Sequence, residues 1–91
     1  MSEVNEMYYT FDESWLQDRG ITRMLINKNN VCDISFEGYN VSDTKSNHYR
    51  EWLQKIDITT VKDNIRIKKY FPDQLSAEAE LTKKFGEFID L

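Results

Sequence analysis

The chain offers little reactive chemistry: one histidine, His48, one cysteine, Cys32, and three widely separated glycines, Gly20, Gly38 and Gly86. His48 and Glu51 have a spacing that would bring two metal ligands together on a helix, but a metal site takes three or four ligands and no second histidine or cysteine pair completes it. A cysteine–histidine nucleophile would need Cys32 to ionise. Cys32, Ile34 and Phe36 alternate with Asp33, Ser35 and Glu37, which puts the thiol on the apolar side of a strand as a small core residue, where a thiolate is disfavoured. Neighbouring carboxylates, Asp12 with Glu13 and Glu78 with Glu80, fall at expected helix starts, where capping and the helix dipole account for them. The glycines never cluster before a helix, so a phosphate cradle is excluded. Catalysis is not expected, and no metal or organic cofactor is implied.

Binding surface is better supplied. Two Trp, five Tyr and five Phe sit in 91 residues of formal charge −4. That charge is blocked: −4 over residues 1–20, zero over 21–42, +3 over 43–70 and −3 over 71–91. Acidic ends suit a basic partner protein, and the candidate contacts are Glu3, Glu6, Asp12, Glu13 and Asp18, with Tyr8 or Tyr9 as aromatic anchor. The basic middle holds a second candidate. Lys62, Arg66, Lys68 and Tyr70, with Asn64 between, would line one face of a strand at steps of about 6.6 Å. Such a strip could follow a phosphate backbone with Tyr70 stacking on a base. Cations on an edge strand also guard against aggregation, and a net negative molecule is repelled by phosphate at long range, so this reading is the alternative.

These side chains need a scaffold, and the pattern of the sequence outlines one. Residues 7–11 read as a short strand. Asp12 then caps a short helix over 13–19, with Phe11 and Leu16 as a hydrophobic staple, Trp15 and Leu16 turned inward, and Gly20 as the stop. Residues 21–27 and 31–41 flank the polar turn Lys28-Asn29-Asn30, the second run being the clearest strand. Tyr49, Trp52, Leu53 and Ile56 recur at i, i+3, i+4 and i+7, predicting an amphipathic helix over residues 44–56, with His48 near its first turn and Glu51 paired with Lys55. The β-branched residues Ile58, Thr59, Thr60, Val61, Ile65 and Ile67 favour a hairpin that turns at Lys62-Asp63-Asn64 and stops before Pro72, with a helix as the competing reading. A last helix begins at Asp73 or Ser76 and aligns Ala77, Leu81, Phe85, Phe88 and Ile89.

The length fits one domain, residues 1–91, with 1–6 flexible. The expected architecture is two-layer α+β: an antiparallel sheet of four to five strands, two longer amphipathic helices and one short N-terminal helix. No apolar run approaches the ~18 residues of a membrane span. The first residues lack the basic start and apolar stretch of a signal peptide, and a lone cysteine suits a reducing compartment, so a cytoplasmic location is expected. The function expected is that of a small, acidic, non-enzymatic protein-binding module, an inhibitor that docks on a basic surface of a target protein. Immunity and anti-defence inhibitors of phages and other mobile elements share this size and charge. The alternative is a nucleic-acid-binding regulator that uses the basic hairpin 62–70. Homodimerisation is compatible with either.

Overall fold

The computed structural model describes residues 7–86. Five strands precede one helix: β1 (Tyr8–Asp12), β2 (Arg23–Asn27), β3 (Val31–Asn40), β4 (Trp52–Thr60), β5 (Asn64–Phe71) and α1 (Gln74–Phe85), with 3₁₀ turns at Gln17–Arg19 and Lys28–Asn30. All strand pairs are antiparallel. The α+β class matches the sequence, but the strands form two sheets, β1–β2 and β3–β4–β5, in place of a single sheet. The turn at 28–30 redirects the chain between them. Asn27 caps it, its side-chain oxygen accepting from the Asn29 amide at 2.8 Å, so β3 enters a different sheet from β2.

Neither of the first two expected helices is present. Asp12 does cap, its carboxylate accepting from the Ser14 amide at 2.9 Å. The chain then closes tight turns, Trp15 N–H to the Asp12 carbonyl at 3.1 Å and Leu16 N–H to the Glu13 carbonyl at 3.0 Å, and ends in a 3₁₀ turn before Gly20 at φ 69°. So few residues before Gly20 leave no length for a stable α-helix, and adjacent Trp15 and Leu16, 2% and 1% exposed, are buried by a turn. The second helix, 44–56, divides at residue 51 into a loop and the start of β4. Its apparent helical period arises because β4 is buried on both faces where it begins. Gln54, Ile56 and Ile58 face the core, while Leu53, on the other face, is also 5% exposed. The turn between β4 and β5, and the end of β5 at Phe71 before Pro72, match the hairpin reading.

The core gathers Phe11, Trp15, Leu16 and Ile26 from the N-terminal half with Ile56, Ile58, Ile67, Phe71, Ala77 and Leu81. Helix α1 is capped by Asp73, whose carboxylate accepts from the Ser76 amide at 2.8 Å, and it buries Ala77 and Leu81. Phe85 packs against Tyr9, Phe11 and Phe36. Phe88 and Ile89 lie outside the described residues. A half-buried network ties the layers: the Trp15 indole N–H donates to Glu80 at 2.7 Å, and Lys69 donates to the same carboxylate at 2.8 Å. Trp52 lies across Gly38, where a Cβ would stand 2.5 Å from the indole ring. Its N–H donates at 2.9 Å to the buried Gln54. No helix among the described residues is long and apolar enough to cross a membrane.

Cys32 is exposed, not inward as the alternation implied. The register shifts between Val31 and Asp33, so Cys32 is the extra residue of a β-bulge. Val31 and Ile34 pack against the core on either side of it, and the thiol is turned to solvent.

Candidate functional site

The three-stranded sheet has an outer face, opposite the core, whose side chains follow from the strand register. Across β3, β4 and β5 it reads in four rows: Asp33, Thr59 and Asn64; Ser35, Asp57 and Arg66; Glu37, Lys55 and Lys68; Tyr39, Leu53 and Tyr70. One end is polar, the centre carries both signs, and the other end is aromatic. Acid lies toward β3 and base toward β5. A groove of about 410 Å³ crosses the centre, lined by Glu37, Lys55, Asp57, Arg66 and Lys68, with Arg19 reaching it from the 3₁₀ turn.

Part of the charge in this groove is paired within the protein. Arg66, whose side chain is 80% exposed, places Nε 3.0 Å from an Asp57 carboxylate oxygen. Arg19 donates to the Arg66 carbonyl at 3.1 Å. Lys55 Nζ sits over the Tyr39 ring, 5.3 Å from its centroid. At the aromatic end the loop 41–51 folds back on itself: the Val41 N–H donates to the Glu51 carbonyl at 2.8 Å, and the Arg50 N–H to the Val41 carbonyl at 3.0 Å. Arg50 takes a positive φ of 75° to make the return. The loop sets the His48 ring flat on Tyr70, centroids 3.7 Å apart and planes 7° from parallel. His48 Nδ1 donates to Glu51 at 2.8 Å.

Of the residues singled out at the acidic N-terminal end, the structure describes the side chains of Tyr8, Tyr9, Asp12 and Glu13. Glu3 and Glu6 lie outside the described residues, as does the side chain of Asp18. Tyr9 is half-buried, its ring tilted 45° against Phe85 with Lys28 over it, and so serves the packing of the N-terminal hairpin. Tyr8 is half-buried on the other face of β1. Asp12 spends its carboxylate on the turn that follows: the Ser14 hydroxyl bond first, then the Ser14 amide and nearby Lys69 and Lys84, hold it below the ordinary carboxylate range against the opposing effect of burial. Glu13 is exposed.

The basic set is assembled in part. Arg66, Lys68 and Tyr70 share the outer face as the alternation implied, but Lys62 sits in the turn before β5. Lys55, directly across from Lys68, was hidden in the stretch 44–56 read as a helix, and Asp57, across from Arg66, fell just past its end. Reading β4 as a strand would have placed both, since Lys55, Asp57 and Thr59 alternate with Gln54, Ile56 and Ile58. His48 has moved from the expected helix onto Tyr70, and Glu51 pairs with it instead of with Lys55.

His48 and Glu51 form a pair, and among the described residues no group of three or more His, Cys, Asp and Glu side chains converges to hold a metal ion. Asp73 is held below its ordinary range by the Ser76 amide and hydroxyl, which is helix capping and not activation for catalysis. No family model, curated protein or solved structure matches the chain.

Proposed function

We propose that this chain is a non-enzymatic binding module whose partner is another protein, held on the outer face of its three-stranded sheet. The observation that supports this reading is the composition of that face. Carboxylates and cations interleave across the rows, and Tyr39 and the His48–Tyr70 stack stand at one end. Interleaved charge with aromatic anchors suits the mixed surface of a protein, where each sign finds its opposite and Tyr supplies contact area at small entropic cost. The net charge of −4 makes a basic target the preferred partner. Occlusion of that target's working surface, as an inhibitor of the immunity or anti-defence kind achieves it, is the proposed consequence, in the cytoplasm of the host cell.

A nucleic-acid reading has one specific observation in its favour: Arg66, Lys68 and Tyr70 share a face, with Arg19 and Lys55 beside them. Two observations weigh against it. Asp57 lies within the cationic strip, 3.0 Å from Arg66, where it would repel phosphate. One face of the Tyr70 ring is already covered by His48, so a base cannot stack there.

The deciding experiment is capture of bound species from host lysate with and without nuclease, followed by repeat capture with Lys55→Glu and Tyr39→Ala variants. A protein that survives nuclease and is lost from these variants supports the sheet face. A protein that ignores them and is lost on reversing Glu13 moves the site to the N-terminal segment, and capture that vanishes with nuclease replaces this reading with the nucleic-acid one.

A further inference from the structure

The two edges of the three-stranded sheet are treated differently. Along β5 lies the turn that carries Arg19, whose guanidinium donates to the Arg66 carbonyl at 3.1 Å. Along β3, ten residues long, pairing runs on one side only, to β4, and among the described residues no strand pairs with the other side. An unpaired edge presents a row of backbone donors and acceptors ready to accept another strand. The bulge at Cys32 blunts only its first residues, and from Asp33 to Asn40 the register is unbroken.

The side chains along this edge carry a single sign. β3 holds two carboxylates, Asp33 and Glu37, and no cation. Both are exposed and both belong to the outer face, four residues or about 13 Å apart. Among the described residues no hydrogen bond or ion pair reaches either carboxylate. Asp12, Asp43, Glu51, Asp57, Asp73, Glu78 and Glu80, in contrast, are all engaged. On the inner flank of the same strand Phe36 packs edge-on to Phe85, ring centroids 5.2 Å apart.

We propose that β3 is a docking edge that accepts an extended segment of a partner protein as a fourth strand, with Lys or Arg four residues apart facing Asp33 and Glu37. The proposal rests on the protein-binding reading and names the partner's chemistry. Main-chain hydrogen bonds supply the affinity, and the two carboxylates set the register, because a slip of one residue would carry the partner's cations to the other face. A second copy of this chain is the poorer occupant, since its β3 has no cation to set against these acids.

The test uses the full chain, labelled with ¹⁵N, and a synthetic peptide of alternating Lys and Thr, with a Glu-for-Lys peptide as control. The Lys peptide is expected to shift the amides of residues 33–40 saturably, and the Glu peptide to leave them unchanged. Asp33→Lys with Glu37→Lys, both at exposed positions, should weaken the Lys peptide at least about tenfold while the rest of the spectrum holds. Shifts spread equally to Glu13 and Asp63 would mean unspecific charge attraction and overturn the proposal. So would β3 shifts that appear on concentrating the protein alone, or binding that ignores the double reversal. A protein captured from lysate that holds to the double variant but leaves Lys55→Glu overturns the edge and keeps the broader reading. Peptide docking on β3 with no protein ever captured does the reverse.

Discussion

Two residues carry more of the local architecture than their types announce. Gly38 gives the Trp52 indole its seat, and a methyl group there would stand 2.5 Å from the ring. Gly38→Ala is therefore expected to cost about 1–3 kcal/mol of unfolding free energy, as overpacked sites do. Denaturant melts would measure it, and combination with Trp52→Ala should be less than additive because the clash is gone. Asp12 and Asp73 are expected to contribute to acid sensitivity. Each folded pKa lies below the ordinary 3.8, through hydrogen bonds from Ser14 and Ser76 respectively. A depressed carboxylate contributes its stability above the unfolded pKa and loses it as pH falls through the folded one. The melting temperature should respond little to these two groups between pH 7 and 5 and drop below about pH 4. The double variant Asp12→Asn, Asp73→Asn should show a shallower acid drop, and an unchanged drop would remove these caps as its source. Asp73 was legible from its place before an apolar stripe. Cys32 was not, since a bulge reverses strand parity without leaving a mark in the alternation of side chains.

At the scale of elements, the signals that held were those of local backbone chemistry. Pro72 ends β5, the β-branched run forms the β4–β5 hairpin, and Asp73 starts α1. The failures came where two patterns overlap. Tyr49, Trp52, Leu53 and Ile56 satisfy a helical period, yet the strand won. Ile56, Ile58, Thr59 and Thr60 prefer extended backbone, and Leu53 found burial on the outer face. With that element misread, Lys55 and Asp57 could not be set beside Lys68 and Arg66, so the mixed charge of the face was invisible from sequence. The link between elements is itself testable at Glu80, which accepts from Trp15 at 2.7 Å and Lys69 at 2.8 Å while three-quarters buried. Glu80→Ala leaves both donors without their acceptor and should destabilise by about 1–3 kcal/mol. Glu80→Gln retains an oxygen for the indole and should cost less. Equal losses would show that charge alone, and not the hydrogen bond to Trp15, holds the layers.

The whole molecule closes through contacts distant in sequence. Lys84 donates to the Thr10 carbonyl across 74 positions, and Trp15 to Glu80 across 65. A two-stranded hairpin such as β1–β2 is at best marginally stable alone in water. Phe11 and Ile26 belong to the same core cluster as Ile56, Ile67 and Leu81, so the smaller sheet depends on the larger one and on α1. The expectation is one cooperative transition. Tryptophan fluorescence and far-ultraviolet circular dichroism should give coincident denaturation curves, and the most protected amides of β1–β2 and of β4 should exchange with the same opening free energy. Leu81→Ala, expected to cost about 2–5 kcal/mol, should lower both sets together. If β1–β2 instead opened at much lower free energy while β3–β5 kept its protection, the chain would comprise two units, and the proposed binding face would belong to the larger unit alone.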